Sequence, residues 1–322
     1  MHTIAMVGTY SPYARKKIDD LLPEDFNIID IQKYDEFFKL RFADYIILRT
    51  LKLDGDAIKS LRHTKLIHRW GSGYDTVDIE TAGKCGIPVL IALGINSAAV
   101  SELAILFILS LYRHIVTYNN LLVQGIWNRQ DFIDQSYMLK GKTLGLIGCG
   151  NIGRLVAEKA IVFGAKIIYY DIFRLSPEME RSLGIRFVPL DELYSTSDII
   201  SIHVPAIDST IGMVGKEQFE MMKSTAILIN TARGSIINEP DLIEALQSKI
   251  IFGAGLDSYM VEPLPKNSPL LTMHNVVLTP HIGGNTRDND DEMISCVLEN
   301  IRRKQKGEEL PHQNVVNSQY LK

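Results

Sequence analysis

Several polar residues directly follow apolar runs, where a strand end could present a chemical group. His281 ends the run "NVVLTPH", and His203 ends "DIISIH". Histidine exchanges protons near neutral pH, so either residue could act as a general acid–base. Arg233 follows the run "ILINTA", and Asp257 ends "FGAGLD". Because an unpaired charge in such a place is costly, these four residues together predict a site for a polar ligand.

A glycine-rich turn predicts a dinucleotide-binding site. The apolar run Thr143–Ile147 leads into "GCGNIG", which contains Gly148, Gly150 and Gly153, and a helical pattern follows. The first glycine permits a tight turn, the second lets the backbone approach a pyrophosphate, and the third lets helix and strand pack closely. The helix N-terminus then supplies N–H groups for the phosphates. A P-loop is excluded, because the third glycine is not followed by Lys and Ser or Thr.

The carboxylate of Asp171 predicts a preference for NAD over NADP. Asp171 ends the next apolar run, "AKIIYYD", and lies 18 residues after Gly153. A carboxylate at this position accepts hydrogen bonds from the adenosine ribose hydroxyls and repels a 2′-phosphate. Arg174 lies three residues further on and could weaken that preference. The alternative is that Asp171 only ends an edge strand.

Short apolar runs alternate with helical patterns over nearly the whole chain. The runs "TIAMVG", "FNIIDI", "DYIILRT", "KLIHRWG" and "IPVLIA" form a first series, and a second begins at Lys142. This rhythm predicts an α/β fold with parallel sheets covered by helices. One long helix is predicted from Ala98 to about Leu122, with Ser97 as its N-cap, and another from about Asp290 to Asn300.

Length, composition and charge favour a two-domain protein of the cytoplasm. With 322 residues, the chain exceeds the size at which one core stops growing. The net charge of −4, without a cluster of Lys and Arg, argues against a nucleic-acid partner. The three cysteines lack CxxC spacing, so neither a disulfide framework nor a metal site is expected. The apolar run "LAILFILSLY" is too short to span a bilayer, and no signal peptide is expected.

Three segments that carry these polar residues resemble the signature segments of the D-isomer-specific 2-hydroxyacid dehydrogenases. They are "LINTARG" with Arg233, "GLDSYMVEPLP" with Glu262 and "LTPHIGG" with His281. The segments "GLIGCGNIG", "SIHVP" and "RWGSGYDTVDI" fit the same family, so the resemblance covers nearly the whole chain. It implies an α/β fold of two Rossmann-like, doubly wound parallel-sheet domains. Residues 1–97 and 290–322 would form a flavodoxin-like substrate domain, into which an NAD-binding domain of residues 98–289 is inserted.

The resemblance also implies hydride transfer between NAD and a D-2-hydroxy acid or its 2-oxo acid. Arg233 would bind the substrate carboxylate and polarise the 2-oxo group, as a planar fork suited to two neighbouring oxygens. His281 would exchange the proton, and Glu262 would hydrogen-bond the other ring nitrogen and fix the tautomer. Family members are usually dimers, which places a second copy of the chain against the helix near Ala98–Asn119.

Further contacts follow from the same resemblance. Backbone N–H groups of Ser72 and Gly73 would bind the substrate carboxylate, and Asp257 would hold the nicotinamide carboxamide. The residues expected to line the cofactor site are Gly148, Gly150, Asn151, Ile152, Gly153, Asp171, His203, Val204, Pro205, Thr210, Thr231, Ala232, Asp257, Gly283 and Gly284.

One segment bears on the identity of the substrate. "HRWGSGYDTVDIETAGKCGIPV" is most similar to the corresponding segment of D-3-phosphoglycerate dehydrogenases, which makes that activity the leading expectation. Arg69 falls where a cation could bind a substrate phosphate; alternatively, it pairs with a local acid. Trp70 replaces a residue that is usually small, and Ser101 stands where alanine is common. Reduction of glyoxylate, hydroxypyruvate or a branched 2-oxo acid is the alternative activity.

Two other classes share parts of this pattern. Formate dehydrogenases share the fold but carry glutamine where Glu262 stands, which argues against that activity. NAD-sensing corepressors keep the Arg–Glu–His set and act by binding partners. Turnover of 2-oxo acids with NADH distinguishes the enzyme from the corepressor.

Overall fold

The computed structural model describes residues 1–321, and the chain divides into two compact units. The first unit combines Met1–Asn96 with the segment that begins at Asn285, and the second unit is Ser97–Gly284. The chain therefore leaves the first unit once and returns to it. Each unit has its own buried apolar core on both faces of a sheet.

The strands form two parallel sheets. The first sheet contains β1 (His2–Val7), β2 (Phe26–Ile31), β3 (Tyr45–Leu48), β4 (Leu66–Arg69) and β5 (Val89–Leu90). The second contains β6 (Thr143–Ile147), β7 (Lys166–Tyr170), β8 (Ile185–Phe187), β9 (Ile199–Ile202), β10 (Ile227–Asn230), β11 (Gly253–Leu256) and β12 (Val276–Leu278). The predicted α/β fold with two parallel sheets is confirmed.

Helices connect the strands, and polar side chains cap several of them. The α-helices are α1 (Pro12–Leu21), α2 (Gly55–Lys59), α3 (Ile79–Lys84), α4 (Ser97–Tyr112), α5 (Ile115–Val123), α6 (Asn151–Val162), α7 (Pro177–Leu183), α8 (Leu190–Thr196), α9 (Lys216–Met221), α10 (Glu239–Gln247) and α11 (Arg287–Lys306). Short 3₁₀ helices lie at Tyr34–Phe42, Ile133–Gln135, Gly234–Ile236, Pro269–Thr272, His312–Asn314 and Ser318–Tyr320. The side chains of Ser11, Ser176 and Thr286 each accept the N–H three residues on, which fixes the starts of α1, α7 and α11.

The first unit has the strand order β2-β1-β3-β4-β5, which is that of flavodoxin-like folds. β3 and β4 are buried along their whole length, because helices cover both faces of the sheet. The returning segment is tied to this sheet by the buried amide of Asn317. Its oxygen accepts the N–H of Val89 at 2.9 Å, and its nitrogen donates to the carbonyl of Ile87 at 2.9 Å.

The second unit has the strand order β12-β11-β10-β9-β6-β7-β8. The chain starts in the middle at β6, adds β7 and β8 on one side, and then returns to add β9 on the other. This is the Rossmann order, and ligands bind such sheets at the carboxyl ends of the strands where the order reverses. Here the reversal lies between β6 and β9.

The single long helix predicted from Ala98 to about Leu122 is wrong. The chain forms α4 and α5 instead, with a bend of 64° between them, and α4 already begins at the residue predicted as the N-cap. His114 between the two helices has a positive φ of 49°, which ends the regular helix. Its ring stacks on Phe132 with 4.7 Å between ring centroids, and this contact holds the bend. Apolar periodicity continues through the break, so the sequence pattern hides it.

The last helix is longer than the predicted segment Asp290–Asn300. α11 begins after its cap at Thr286, and Gly307 with a φ of 72° ends it. Among residues 1–321 no single helix is both long and apolar enough to cross a membrane. Only α4 and α5 taken together pass that test of length and composition, across their bend.

Buried His68 in β4 predicts acid sensitivity of the fold. Its ring accepts from the amide of Asn300 at Nε2 (3.0 Å) and donates from Nδ1 to the carbonyl of Arg69 (2.9 Å), which is the pattern of a neutral imidazole. Burial lowers the pKa of His68 from 6.5 to about 4. The unfolded chain therefore binds this proton first, and we expect the free energy of unfolding to decrease as the pH falls from about 6.5 to about 4.

Urea unfolding at pH 7 and at pH 4.5 measures this effect. The variant His68→Gln should lose less stability between the two pH values than the parent does. His203, whose pKa burial lowers to about 3, acts in the same direction in both proteins, so the difference isolates His68. Exposed His63→Gln is the matched control and should behave like the parent. An unchanged pH dependence in His68→Gln would contradict the assignment.

Candidate active site

The carboxyl ends of five neighbouring strands in the second unit carry the polar residues singled out from the sequence. Because the sheet is parallel, the ends of β6, β9, β10, β11 and β12 lie along one edge. Gly148, His203, Arg233, Asp257 and His281 follow these strands. The loops after β6 and β9 are in contact where the strand order reverses. A Cβ added to Gly148 would lie 2.8 Å from the carbonyl oxygen of His203.

His281 and Glu262 form a hydrogen-bonded pair. Nδ1 of His281 lies 2.8 Å from Oε2 of Glu262, and both side chains are partly exposed. The other carboxylate oxygen, Oε1, accepts the N–H of Tyr259 at 3.1 Å, which holds the acid in place. The predicted partnership of the two residues is therefore present as a direct contact, although 19 residues separate them along the chain.

The charge state of Glu262 determines which nitrogen of His281 carries a proton. Desolvation raises the pKa of Glu262, but the hydrogen bond and charge of His281, the N–H of Tyr259 and the charge of Arg233 outweigh it and leave that pKa below its ordinary value. Glu262 is therefore ionised at neutral pH and can only accept. Nδ1 carries the proton of the pair, and Nε2 is left for chemistry with a substrate.

Asp257 holds the loop that carries His281. Its buried carboxylate accepts three hydrogen bonds, from the hydroxyl of Thr279 (2.6 Å) and from the N–H groups of Ile282 (2.7 Å) and Gly283 (2.7 Å). His281 lies between these contacts with a φ of 54°, a conformation unfavourable for a residue with a Cβ. The three bonds on either side of the histidine stabilise this conformation and aim its ring.

The same contacts explain why residue 283 is a glycine, which the sequence did not indicate. A Cβ added there would lie 2.9 Å from the carboxylate of Asp257 and 3.3 Å from the side chain of Val100. Thr279, whose hydroxyl links the end of β12 to this carboxylate, was not among the predicted residues. A threonine two residues before the histidine was its only signal in the sequence.

A buried asparagine fixes the turn of Arg233. Asn230, the last residue of β10, donates from its amide to the carbonyl of Arg233 (2.9 Å) and accepts the N–H of Ala232 (3.0 Å). The Arg233 guanidinium donates to the carbonyl of Ala232 at 2.8 Å, and its charge lowers the pKa of Glu262. The predicted set of Arg233, Glu262 and His281 therefore lies together in the second unit. The polar residue inside the run "ILIN" was the signal for Asn230.

The glycine turn after β6 has the shape that a dinucleotide phosphate requires. A Cβ added to Gly150 would meet nothing within 4 Å, so the backbone is open there. α6 begins at the next residue, Asn151, and directs its N-terminal N–H groups to this opening. A Cβ added to Gly153, by contrast, would lie 2.2 Å from the carbonyl oxygen of Gly148, which shows how closely helix and turn pack.

Polar groups around the turn also suit a nicotinamide dinucleotide. The carboxylate of Asp171 accepts the N–H groups of Cys149 (2.8 Å) and Phe173 (3.0 Å), and each oxygen retains a further acceptor position for ribose hydroxyls. Over the described part of the chain, the hydroxyl of Thr231 and Nδ1 of His203 are buried without a hydrogen-bond partner. Both groups follow strands at the edge of the sheet where a cofactor would bind, so a ligand there would satisfy them.

The remaining predicted cofactor residues lie in the same loops. Thr210 closes the loop after β9, because its hydroxyl donates to the carbonyl of Pro205 and accepts the N–H of Ile207 at 2.9 Å. Asn151 accepts from the guanidinium of Arg154 at 3.0 Å. Three partly buried residues pack against the core of the unit: Ile152, Val204 and Ala232. Gly284 is the last residue of the unit.

In the first unit, Arg69 organises the loop that contains Ser72 and Gly73. Arg69 is only 7% exposed and donates to the carbonyls of Gly73 (2.8 Å), Leu48 (3.0 Å) and Arg49. The hydroxyl of Ser72 donates to Asn96 at 3.3 Å. The guanidinium of Arg69 is therefore engaged by the backbone of its own unit, which favours a structural role.

Trp70, the other unusual residue of this segment, belongs to the core of the first unit. It is 7% exposed and meets the ring of Tyr10 edge-on at 5.2 Å between centroids. Its indole therefore fills space in the interior. Ser101, noted for the same reason, lies buried in α4 and donates to the carbonyl of Ala98 at 2.7 Å.

Alanine substitutions at Gly153 and Gly150 should impair different properties of the protein, stability in the first case and NADH binding in the second. Gly153→Ala places a methyl group against the carbonyl of Gly148, and we expect the free energy of unfolding to fall by about 1–3 kcal/mol, as for other overpacked sites. Gly150→Ala, the matched control, should leave stability within about 0.5 kcal/mol and weaken NADH binding roughly tenfold or more, because the methyl group occupies the phosphate approach. Chemical denaturation and calorimetric titration measure the two effects. Equal stability of both variants would contradict the packing argument.

A nucleotide-binding sheet with an acid–base pair and an arginine at its strand ends is the arrangement of a nicotinamide-dependent dehydrogenase. Residues 105–283 match the family model described as D-isomer specific 2-hydroxyacid dehydrogenase, NAD binding domain. The chain belongs to this family and is an NAD-dependent D-2-hydroxyacid dehydrogenase. The resemblance stated from the signature segments is thereby confirmed, as is NAD as the cofactor.

Similar proteins differ in the substrate that their names give. The chain is 39% identical over 289 residues to a glyoxylate reductase of Thermococcus litoralis, covering 88% of this chain and 86% of the relative. It is 38% identical over 281 residues to a D-3-phosphoglycerate dehydrogenase of Methanocaldococcus jannaschii, covering 87% of this chain but 52% of that longer relative. A structure of NAD-dependent formate dehydrogenase from Staphylococcus aureus in complex with NAD has a TM-score of 0.88 at 28% identity, with 98% and 99% of the chains covered.

Proposed function

We propose that the protein reduces a small 2-oxo acid, either glyoxylate to glycolate or hydroxypyruvate to D-glycerate. NAD in its reduced form supplies the hydride for this reaction. The pairing of Nδ1 of His281 with ionised Glu262 carries the chemical assignment, because it leaves Nε2 of His281 to deliver the proton. Glu262 stabilises the cationic form of the ring before the proton leaves. The 2-oxo oxygen receives this proton as the carbonyl is reduced.

Arg233 supplies substrate binding from the second unit in this proposal. The guanidinium of Arg233 takes two neighbouring oxygens of the substrate, one from the carboxylate and one from the 2-oxo group, and polarises the carbonyl. In the first unit, the loop of Ser72 and Gly73 is the candidate that the family resemblance gives for binding a carboxylate through backbone N–H groups. The unit with the glycine turn is accordingly the NAD-binding domain, and the unit with Ser72 is the substrate domain.

The preference for a small acid over a phosphorylated one rests on Arg69. A cation that binds a substrate phosphate must present its donors to the ligand, whereas Arg69 is 7% exposed and donates to three backbone carbonyls of its own unit. Arg49, which follows β3 in the same unit, likewise donates to the carbonyl of Thr9 and to Asn285. Both guanidinium groups of the first unit's strand ends therefore bind its own loops. The glyoxylate reductases among the relatives support the same choice.

A substrate panel with NADH tests the proposal. Glyoxylate, hydroxypyruvate, 3-phosphohydroxypyruvate and branched 2-oxo acids are compared by the loss of absorbance at 340 nm. We expect the highest kcat/KM with glyoxylate or hydroxypyruvate. A higher value with the phosphorylated acid would favour phosphoglycerate dehydrogenase activity, for which the 38% identical relative is the supporting observation. No turnover of any substrate would favour a corepressor-like binding protein.

An exposed apolar surface on the second unit supports a homodimer. Large apolar side chains of α4, α5 and the following segment are exposed, among them Leu106, Leu122, Val123, Trp127 and Met138. Val123, Trp127 and Met138 are each more than 70% exposed. Large exposed apolar surface is typical of contact sites. A second copy of the chain is the proposed partner. Sedimentation equilibrium checks it, and a monomer at micromolar concentration would contradict the dimer.

A further inference from the structure

Asp171 and Arg174 share one short turn and have opposite preferences for the cofactor. The turn begins at Asp171 after β7, where the carboxylate accepts the N–H of Phe173. A carboxylate in this place favours the ribose hydroxyls of NAD, whereas an arginine nearby favours the 2′-phosphate of NADP. Because Arg174 lies only three residues after Asp171, both side chains belong to the same corner of the sheet. The orientation of Arg174 therefore bears on the choice between the two cofactors.

Arg174 is held by a carboxylate of α7. Its Nε donates to Oε1 of Glu180 at 2.8 Å, and Nη2 donates to Oε2 at 3.1 Å, so the pair is bidentate. The guanidinium carbon also lies 5.0 Å from the centroid of the Phe187 ring. Two parallel charge-assisted bonds and an aromatic face fix both the place and the plane of the guanidinium.

Glu180 is in turn fixed by its own neighbours. Its Oε1 accepts the hydroxyl of Tyr169 at 2.8 Å, and that hydroxyl accepts the N–H of Leu175 at 2.9 Å. The Glu180 side chain is 13% exposed, whereas that of Arg174 is 59% exposed. The carboxylate of Glu180 is thus held in place by its neighbours, whereas the more exposed side chain of Arg174 is free to change its conformation if the pair is broken. The hydrogen bonds from Arg174 and Tyr169 lower the pKa of Glu180, so it stays an anion at neutral pH.

We propose that Glu180 is a specificity-determining residue for the cofactor, because it holds Arg174 away from the adenosine ribose. With Arg174 bound to Glu180, Asp171 alone faces the 2′ position and disfavours a phosphate there. Removal of the Glu180 charge releases a guanidinium three residues from Asp171, within reach of a 2′-phosphate. The preference for NAD then depends on two carboxylates: one repels the phosphate, and the other withholds the cation that would bind it.

Equilibrium binding of NADH and NADPH by calorimetry tests the role of Glu180 without any turnover. We expect Glu180→Gln to lower the Kd of NADPH roughly tenfold or more, as a new charge-assisted bond to phosphate would. The Kd of NADH should change less than twofold. The double variant Glu180→Gln with Arg174→Ala should return the Kd of NADPH to the parental value, because the gain requires the released arginine.

A matched control and a second variant keep the test decisive. Glu178→Gln removes the same charge from the same helix, where Glu178 pairs with exposed Arg181, and should leave both Kd values unchanged. Glu180→Asp keeps the charge, but its side chain is too short for the bidentate pair, so it should also lower the Kd of NADPH. This variant serves as the test if Glu180→Gln does not fold. The proposal would be overturned if the ratio of the Kd of NADPH to the Kd of NADH in the folded Glu180 variants stayed within twofold of the parental ratio. So would a gain that persists in the double variant.

Discussion

Replacing His281 by alanine is expected to lower kcat for 2-oxo-acid reduction by about two to four orders of magnitude, the usual contribution of a general acid–base. The reason is that Nε2 of His281 is the nitrogen left for the substrate, since Nδ1 is bonded to Glu262 at 2.8 Å. The glycine turn is built from other residues, so the Kd of NADH should stay within about threefold of the parent. Steady-state kinetics and calorimetric titration measure the two quantities.

The control for His281→Ala is His274→Ala, which removes an exposed histidine from the same unit. It should retain parental kcat. Glu262→Gln keeps a side chain of the same length but can no longer stabilise the imidazolium, so its kcat should lie between the other two. Near-full activity of His281→Ala would remove this histidine from the acid–base role. A parallel loss in His274→Ala would point to a general effect on folding.

Strand ends were the part of the site that the sequence could predict. Apolar runs identify buried parallel strands, and parallel strands bring their carboxyl ends to one edge, so the sequence alone groups His203, Arg233, Asp257 and His281. The partnership of Glu262 with His281 came only from the family resemblance. Glu262 lies in a loop without periodicity, and no spacing rule relates a loop carboxylate to a histidine 19 residues further on.

Other features depend on contacts that a pattern does not contain. The bend at His114 interrupts an apolar run without a glycine or proline, and stacking on Phe132 stabilises it. Arg69 looked available for a substrate phosphate, but its donors turn to backbone carbonyls that belong to other loops. The bidentate contact of Arg174 with Glu180 joins residues six apart across a turn, which is neither a helical nor a strand spacing. Each of these outcomes is decided by tertiary packing.

Replacing Arg233 by lysine should lower kcat/KM for the 2-oxo acid by roughly 30- to 1000-fold, equivalent to about 2–4 kcal/mol. Lysine keeps the positive charge but loses the planar fork that binds two neighbouring oxygens. NADH binding should be preserved. The control is Arg181→Lys, an exposed arginine of α7, which should show parental kinetics. If Arg233→Lys stays within threefold of the parent, charge alone is sufficient and the fork geometry is not required.

Arg233→Met extends this argument, because it removes the charge that acts on Glu262. Desolvation raises the pKa of Glu262, and His281, the N–H of Tyr259 and Arg233 outweigh it. Without Arg233 the pKa of Glu262 should rise, so Glu262 becomes protonated at a higher pH. The acid limb of the kcat/KM profile should therefore move to higher pH in Arg233→Met and stay in place in Arg233→Lys. A coincident acid limb in all three proteins would show that Arg233 acts on the substrate alone, whereas the expected displacement would join Arg233, Glu262 and His281 into one electrostatic unit.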